Sequence, residues 1–214
     1  MLINFLRKIK YDMIFFKKSL MLKINKKTML KRLHDFLNTN NIGYWLEYGT
    51  LLGAIRQGSI LSHDYDLDIG INQKEWNLNL RNKIIEQGFI LTREISVDGI
   101  IIEESYSFKG ICVDLFFCSI KNDIISTPVF RPFQGLTWKD SILKKSGVEL
   151  YLFNNKYNGF ETIHFENELW HIPKNYKAHL ISYYGEDYII PNKKWKGENS
   201  AIPTGCIGKE MLMY

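Results

Sequence analysis

Four aspartates and a Gly-Thr pair are the residues of this chain whose types and spacing suit chemistry. Asp64, Asp66 and Asp68 stand two residues apart in the run HDYDLDIGI, and side chains at i, i+2 and i+4 of a strand point to one face. Three carboxylates are thereby crowded together, while Tyr65, Leu67 and Ile69 face the other way. Such crowding is unfavourable unless a cation offsets it or some of the acids take up protons. Oxygen-only ligands with no nearby Cys or His pair point to Mg2+, Mn2+ or Ca2+, not to zinc or copper. A fourth acid, Asp114, lies between Val113 and Leu115 in the strand-like run Gly110 to Phe117, where an acid is costly to bury without a purpose. If its strand neighbours the first, Asp114 completes a metal cage. Upstream, Gly49-Thr50 at a predicted helix start offers backbone N–H groups and a positive dipole end, a ready phosphate cradle. A phosphate cradle leading within about one turn and loop into a carboxylate cluster is the layout of metal-assisted phosphoryl transfer.

Two plainer readings compete with this one. Asp64, Asp66, Asp68 and Glu75 fall at positions 1, 3, 5 and 12 of a calcium-binding loop, but position 6 demands a glycine for its turn and here it is Ile69, a β-branched residue that resists positive φ. A solvated strand edge that uses acids to ward off pairing accounts for the three aspartates alone, not for Gly49-Thr50 and Asp114.

The elements that must position these residues are legible in part. Met29 to Asn38 reads as a helix and Tyr44 to Leu46 as a short apolar piece. Leu51 to Ile55 reads as a short helix with Thr50 as its N-cap and Gly58 as its stop. Asp64 to Ile71 has the period-two pattern of a strand, and Asn72 to Gln87 reads as a helix stopped by Gly88. Three strand-like pieces follow, Phe89 to Ser96, Ile100 to Phe108 and Gly110 to Phe117, with Asp98-Gly99 as a hairpin turn. Trp138 to Ser146 and Lys174 to Tyr184 read as helices. The sum predicts an α+β fold: a small mixed or antiparallel sheet with helices packed on it.

With 214 residues, 45% hydrophobic and 24% charged, the chain is long enough to bury a core. Its three cysteines, Cys112, Cys118 and Cys206, fit neither a disulfide framework nor a zinc site and suggest a reducing compartment. The formal charge of +5 is uneven: residues 1 to 32 hold ten Lys or Arg against Asp12, a balance of +9, which leaves 5 − 9 = −4 for the remainder. The basic signal therefore belongs to the N-terminus and not to the folded body, which gives no reason to expect nucleic acid as a partner. In that segment Leu2, Phe5, Leu6, Ile9, Met13, Phe16, Leu20 and Ile24, among others, interleave with the cations at roughly helical spacing. Lysines interrupt every apolar run well short of the roughly 18 residues of a spanning helix, and the apolar stretch and cleavage site of a signal peptide are missing. Residues 1–28 thus predict a basic amphipathic helix, either lying on an anionic membrane surface or packed on a domain formed by residues 29–214.

The stretch YWLEYGTLLGAIRQGSILSHDYDLDIGI, Tyr44 to Ile71, closely resembles the signature of the LicD and fukutin-related family, a GTLLGxxRxG run followed by an acidic DxDxD-like strand. ICVDLFF, Ile111 to Phe117, is similar to the family's later hydrophobic-Asp-hydrophobic strand, and Leu169 to Trp195 to its closing element. Two positions depart from the pattern: Ser62-His63 stands where Pro-Trp is usual before the acids, and Gln57 where His is common.

The resemblance implies a nucleotidyltransferase-like fold and an Mg2+-dependent (or Mn2+-dependent) transfer of a phosphorylated small group. That group, phosphocholine or an alditol phosphate, would pass from a CDP-linked donor to a cell-surface or lipid-linked glycan. It implies that Asp66 and Asp68 are the metal pair, Asp114 the third acid and Gly49-Thr50 the phosphate-contacting turn, with Arg56 on phosphate oxygens and Asp64 as an alternative base to Asp114. His63 adjoins the acids as a candidate substrate contact. A cytoplasmic enzyme, peripheral on the inner face of the membrane, is the expectation. Two alternatives stay open: nucleotidyl transfer from a nucleoside triphosphate to a sugar or other small molecule, with pyrophosphate rather than CMP leaving, and a catalytically inactive glycan- or nucleotide-binding protein.

Overall fold

A computed structural model describes residues 2–192 and 200–213, with side chains from residue 13 onward except those of Ile14 and Phe15. The side chains expected to pattern the start of the N-terminal helix, Leu2 to Asp12, and Trp195 with the end of the closing element therefore lie outside the described residues. One helix, α1 (Leu2–Thr39), runs through both the basic segment and the stretch from Met29. It is followed by β1 (Tyr44–Leu46), α2 (Tyr48–Gln57) and β2 (Asp66–Asn72). After a 3-10 turn at Gln73–Glu75 come α3 (Leu78–Glu86), β3 (Ile90–Val97), β4 (Ile100–Phe108), β5 (Ile111–Lys121) and β6 (Ile124–Arg131). The chain ends with α4 (Trp138–Lys145), β7 (Val148–Lys156), the hairpin β8 (Phe160–Phe165) and β9 (Glu168–Pro173), α5 (Tyr176–Tyr184) and β10 (Ile202–Leu212).

The expected small sheet with packed helices, and with it the nucleotidyltransferase-like architecture, is not what forms. Six strands, in the order β5-β4-β3-β10-β7-β6, close on themselves through a β5–β6 pairing, and every pairing round this ring is antiparallel. The result is a barrel, with β2 added parallel to β5 and β1 antiparallel to β2. Two long strands make the closure. The first part of β5 pairs with β4, while Ser119–Lys121 at its end pairs with β6. Likewise β10 pairs with β7 from Ile202 to Gly208 and with β3 from Lys209 to Leu212, with an irregularity between Pro203 and Ile207. The tight turns agree with the sequence: Asp98 and Gly99 have φ of 50° and 79°, the positive pair that a two-residue hairpin requires.

Helices cover only part of this. Met29, Leu33 and Leu37 of α1, Leu51 and Leu52 of α2, and Leu80 and Ile84 of α3 join Leu67, Ile69, Val113 and Leu115 in one buried core. A second cluster, Ile95, Phe130, Val148 and Leu150, joins strands on different sides of the ring. Gly208 lets these walls approach: a Cβ there would collide with Phe130 and stand 2.8 Å from Cγ2 of Ile95. Adding atoms to a filled core costs roughly 1–3 kcal/mol. Gly208→Ala should therefore lower the urea midpoint by a stability loss of about that size; an unchanged midpoint would mean that β10 does not seat between β3 and β7.

Candidate active site

The acids come together because of one register. In the parallel β2–β5 pair, Asp68 lies opposite Asp114 and Asp66 opposite Cys112. Strand alternation sends Leu67 and Ile69 into the core, fully buried, so Asp66, Asp68 and Asp114 share the other face. The far acid that the sequence alone left unplaced is thus one strand away. Asp64 is not part of the strand; it sits in the turn before β2, its N–H donating to the carbonyl of Leu61 at 2.9 Å. That turn leads straight from Asp64 into the pair Asp66 and Asp68, so the cluster does not have the continuous loop of a calcium site.

The Gly49-Thr50 turn is held against this strand. Thr50 is not the N-cap; Glu47 is, and α2 begins at Tyr48, one residue ahead of Gly49, because the Glu47 side chain accepts from the Tyr48 N–H. The Thr50 hydroxyl instead accepts from the Asp68 N–H at 2.8 Å, and the Glu47 N–H donates to the Asp68 carbonyl at 3.1 Å. Both contacts pin the start of α2, where backbone N–H groups lack helical partners, to the residue that carries the central carboxylate. A Cβ on Gly49 would stand 2.8 Å from Oδ2 of Asp64 and 3.5 Å from Oδ2 of Asp68. The absent side chain therefore leaves the space over which two of the carboxylates converge.

Charge accumulates here. Burial, then Asp64 and Asp114, raise the Asp66 carboxyl to about 6 against a partial offset from Lys18 of α1. Burial and the neighbouring Asp66, Asp114, Asp64 and Glu47 raise Asp68 well above the carboxylate range. Burial also raises Asp64, opposed by the adjoining exposed His63. The donor set is oxygen-only and of the kind that suits a hard cation. Asp66, Asp68 and Asp114 share a face, although among the described residues no three His, Cys, Asp or Glu side chains stand at ligating distances.

Arg56 points elsewhere. Its guanidinium donates to the backbone carbonyls of Tyr188, at 2.8 Å from Nε, and of Ile190, at 3.3 Å, which ties α2 to the segment after α5. The arginine at the site is Arg93 of β3, a residue the sequence did not single out. It lies in a cross-strand row with Ser105 and Asp114 and lines a cleft of about 270 Å3 together with Asp68, Asp114, Glu103, Phe116 and Trp138. The sequence held a faint signal for it, a lone arginine amid the acids and apolar residues of the β3 strand pattern.

Glu47 was also missed, although it immediately precedes the Gly-Thr pair. It is fully buried, accepts from Trp45 Nε1 and from the Tyr183 hydroxyl, each at 2.7 Å, and burial raises its carboxyl to about 7. Trp45 is a packing residue: it is buried and stacked on Phe160 with ring centroids 4.9 Å apart. Of the closing element, Tyr184 is near enough to Asp68 and Asp64 for their charge to add to burial in raising its phenol.

Comparison with known proteins places this arrangement. A family model described as LicD/FKTN/FKRP, nucleotidyltransferase domain, matches residues 41–175, which hold α2, all four aspartates and Arg93. The chain is 38% identical over 103 residues to the uncharacterized protein RP689 of Rickettsia prowazekii, covering 47% of this chain and 36% of that one. It is 30% identical over 114 residues to human ribitol 5-phosphate transferase FKRP, covering 50% and 20%, and 23% identical over 175 residues to human ribitol-5-phosphate transferase FKTN, covering 81% and 35%. The chain thus spans little more than a third of the length of these relatives at most. A solved lincosamide antibiotic adenylyltransferase, LnuA, is similar over 71% of this chain and 82% of its own at 14% identity and a TM-score of 0.44, too distant to carry an argument. With the matched residues covering the whole acid cluster and the turn held against it, the chain belongs to the LicD/FKTN/FKRP family.

Proposed function

We propose that this chain is an Mg2+-dependent transferase that moves a phosphorylated small group, phosphocholine or an alditol phosphate, from a CDP-linked donor to a glycan hydroxyl. The observation that carries the reading is the pairing of Asp68 with Asp114 beside the α2 start. It gathers carboxylates and backbone N–H groups at one point, as transfer of a phosphorylated group requires. Membership of the family supports it, and so do the names of the two human relatives as ribitol 5-phosphate transferases.

Asp66, Asp68 and Asp114 would hold the Mg2+, which would offset charge on the donor diphosphate and polarise the phosphorus under attack. The first-turn N–H groups around Gly49 and Thr50 orient phosphate oxygens, and the missing side chain at Gly49 keeps that approach open. The acceptor oxygen bonds to the phosphorus of the small group, the phosphoanhydride bond breaks and CMP leaves with its electron pair. Asp64 is the better base for the acceptor proton. It stands free of the strand with a raised carboxyl, whereas Asp114 already accepts the Cys112 thiol at 3.6 Å and faces Arg93.

A membrane surface is the partner we infer for α1. No helix among the described residues is long and apolar enough to cross a membrane. Met21, Leu22 and Met29 of α1 pack on the body, while Met13, Phe16, Leu20 and Ile24 form an apolar stripe on another face, 40–72% exposed. Exposed Lys17, Lys23 and Lys27 lie beside it. An apolar stripe flanked by lysines suits an anionic lipid surface, and a glycan acceptor carried on lipid would meet the enzyme there. Full-length protein should co-sediment with phosphatidylglycerol vesicles and not with phosphatidylcholine vesicles, and Phe16→Glu/Leu20→Glu should abolish this. Equal recovery with both lipids, or a variant that binds like wild type, would remove the surface from consideration; a dimer lost in the variant would assign the stripe to a second copy.

Incubation with Mg2+ and CDP-choline, CDP-ribitol or CDP-glycerol should release CMP from one of them, and pyrophosphate release from a nucleoside triphosphate would favour nucleotidyl transfer instead. Asp66→Asn and Asp68→Asn should each lose at least about a hundredfold in rate and keep the fold; wild-type turnover in either defeats the assignment.

The pH dependence has a definite sign. The folded pKa of Asp66, about 6, lies above the ordinary value near 3.9, so the folded chain keeps this proton longer than the unfolded one. The contribution of Asp66 to the stability of the metal-free protein therefore falls as pH rises from about 4 to about 6 and levels off above that. Mg2+ binds the ionised form and should raise the melting temperature at pH 7.5 far more than at pH 5. An equal rise at both pH values would place the metal elsewhere.

A further inference from the structure

The cleft has a second wall whose chemistry the acids do not explain. Arg93 is held there from several sides. Glu103 of β4, 5% exposed, forms a close ion pair with its Nη2, and its Nε donates to Ser105 Oγ at 3.2 Å. Its guanidinium carbon lies over the Trp138 ring, 5.7 Å from the centroid, and the Trp138 N–H donates at 3.1 Å to Glu210 of β10. Strands β3, β4 and β10 and helix α4 thus combine to hold one fork-shaped cation at the cleft. Its distances to the remaining acids, 4.0 Å to Asp114 and 3.8 Å to Glu210, lie beyond hydrogen-bond range. A guanidinium has five donors; Ser105 takes Nε and Glu103 meets Nη2, and Arg93 lines the cleft. Among the described residues that line the cleft, Arg93 is the one cation.

An anionic group that reacts beside Asp66, Asp68 and Asp114 gains from positive charge on the side away from the proposed metal and the α2 start. Arg56 does not supply it, since backbone carbonyls take its guanidinium. We propose that Arg93 is an oxyanion-binding residue of this cleft that contacts a phosphate oxygen of the substrate, with Glu103, Ser105, Glu210 and Trp138 as the residues that position it. The proposal rests on the phosphate chemistry assigned above and adds where the phosphate lies: in the cleft that Arg93 lines with Asp68 and Asp114. The oxygen belongs either to the donor diphosphate or to a phosphate already on the acceptor, and both have the chemistry that an arginine fork recognises.

The probe is inorganic pyrophosphate, titrated calorimetrically into the full chain with Mg2+. Removing Arg93 alone leaves Glu103 buried without its partner, which threatens the fold. The informative variant is therefore Arg93→Met/Glu103→Gln, with Arg93→Lys as a second that keeps the charge and loses the fork. The double variant should bind pyrophosphate about ten- to a hundredfold more weakly and keep the wild-type melting shift with Mg2+ alone. Arg93→Lys should fall between, and Arg56→Met should bind as wild type does. A folded double variant with wild-type affinity, or a wild-type chain that does not bind pyrophosphate, overturns the subsite. Arg93-dependent binding of pyrophosphate by a chain that releases no CMP from any CDP donor would sink the proposed reaction and leave the subsite standing. The source of the oxygen follows from kinetics on an active donor. Loss in the donor KM assigns Arg93 to the diphosphate, and loss only with a phosphorylated acceptor assigns it to the acceptor.

Discussion

The parallel pairing of β2 on β5 is the constraint on which the site depends. Neighbouring strands lie about 4.8 Å apart, so the register that sets Asp68 against Asp114 forces two carboxylates to share a space where each disfavours the other's charge. The same register cannot be relaxed cheaply. Shifting β2 by one residue would carry Leu67 and Ile69 out of the core and the aspartates into it. Apolar burial on one face of β2 therefore holds the electrostatic strain on the other.

The start of α2 is arranged around that strain. Glu47 caps the helix, donates its backbone N–H to the Asp68 carbonyl and anchors its carboxylate beneath Trp45 and Tyr183. Gly70 opens the strand just where the Trp45 ring must lie, since a Cβ at that position would collide with the indole. Trp45, Glu47, Gly49 and Gly70 thus act as one packed unit behind the acids. The pair most readily read as functional, Gly49-Thr50, is the end of this unit that meets the acids, with Thr50 itself buried.

Two buried acids on β4 each meet an arginine. Glu103 and Glu104 are adjacent on β4, so their side chains leave opposite faces of the sheet. Glu103 meets Arg93 at the cleft, while Glu104, 1% exposed, meets Arg81 of α3, Trp76 and Tyr106 beneath the helical layer. Breaking either pair strands a buried charge, a loss of roughly 3–5 kcal/mol, which makes each arginine as much a structural requirement as a surface for ligands. Of the two arginines, Arg93 lines the cleft beside the acids.

What the sequence determined by itself was local. The period-two aspartates, the Gly-Thr turn, the Asp98-Gly99 hairpin and the helices at α4 and α5 follow from spacing, caps and turn residues within a few positions of one another and stand close to where they were expected, whereas the helix expected from Asn72 begins only at Leu78, because β2 runs through Asn72 and a 3-10 turn follows it. Even so, caps competed: Glu47 took the role expected of Thr50 because its carboxylate reaches the first N–H and Thr50 is drawn to Asp68. Asp64 left the strand, and Arg56 was claimed by carbonyls more than a hundred residues away. Ring closure was beyond local pattern altogether. It depends on β5 and β10 each changing partners along their length, and no periodicity in a strand records which strand lies beside it. Asp114 and Arg93 reach the same cleft for the same reason. Their positions were set by hydrogen-bonded register and by the burial of apolar faces across the whole chain, interactions that exist only once distant segments have met.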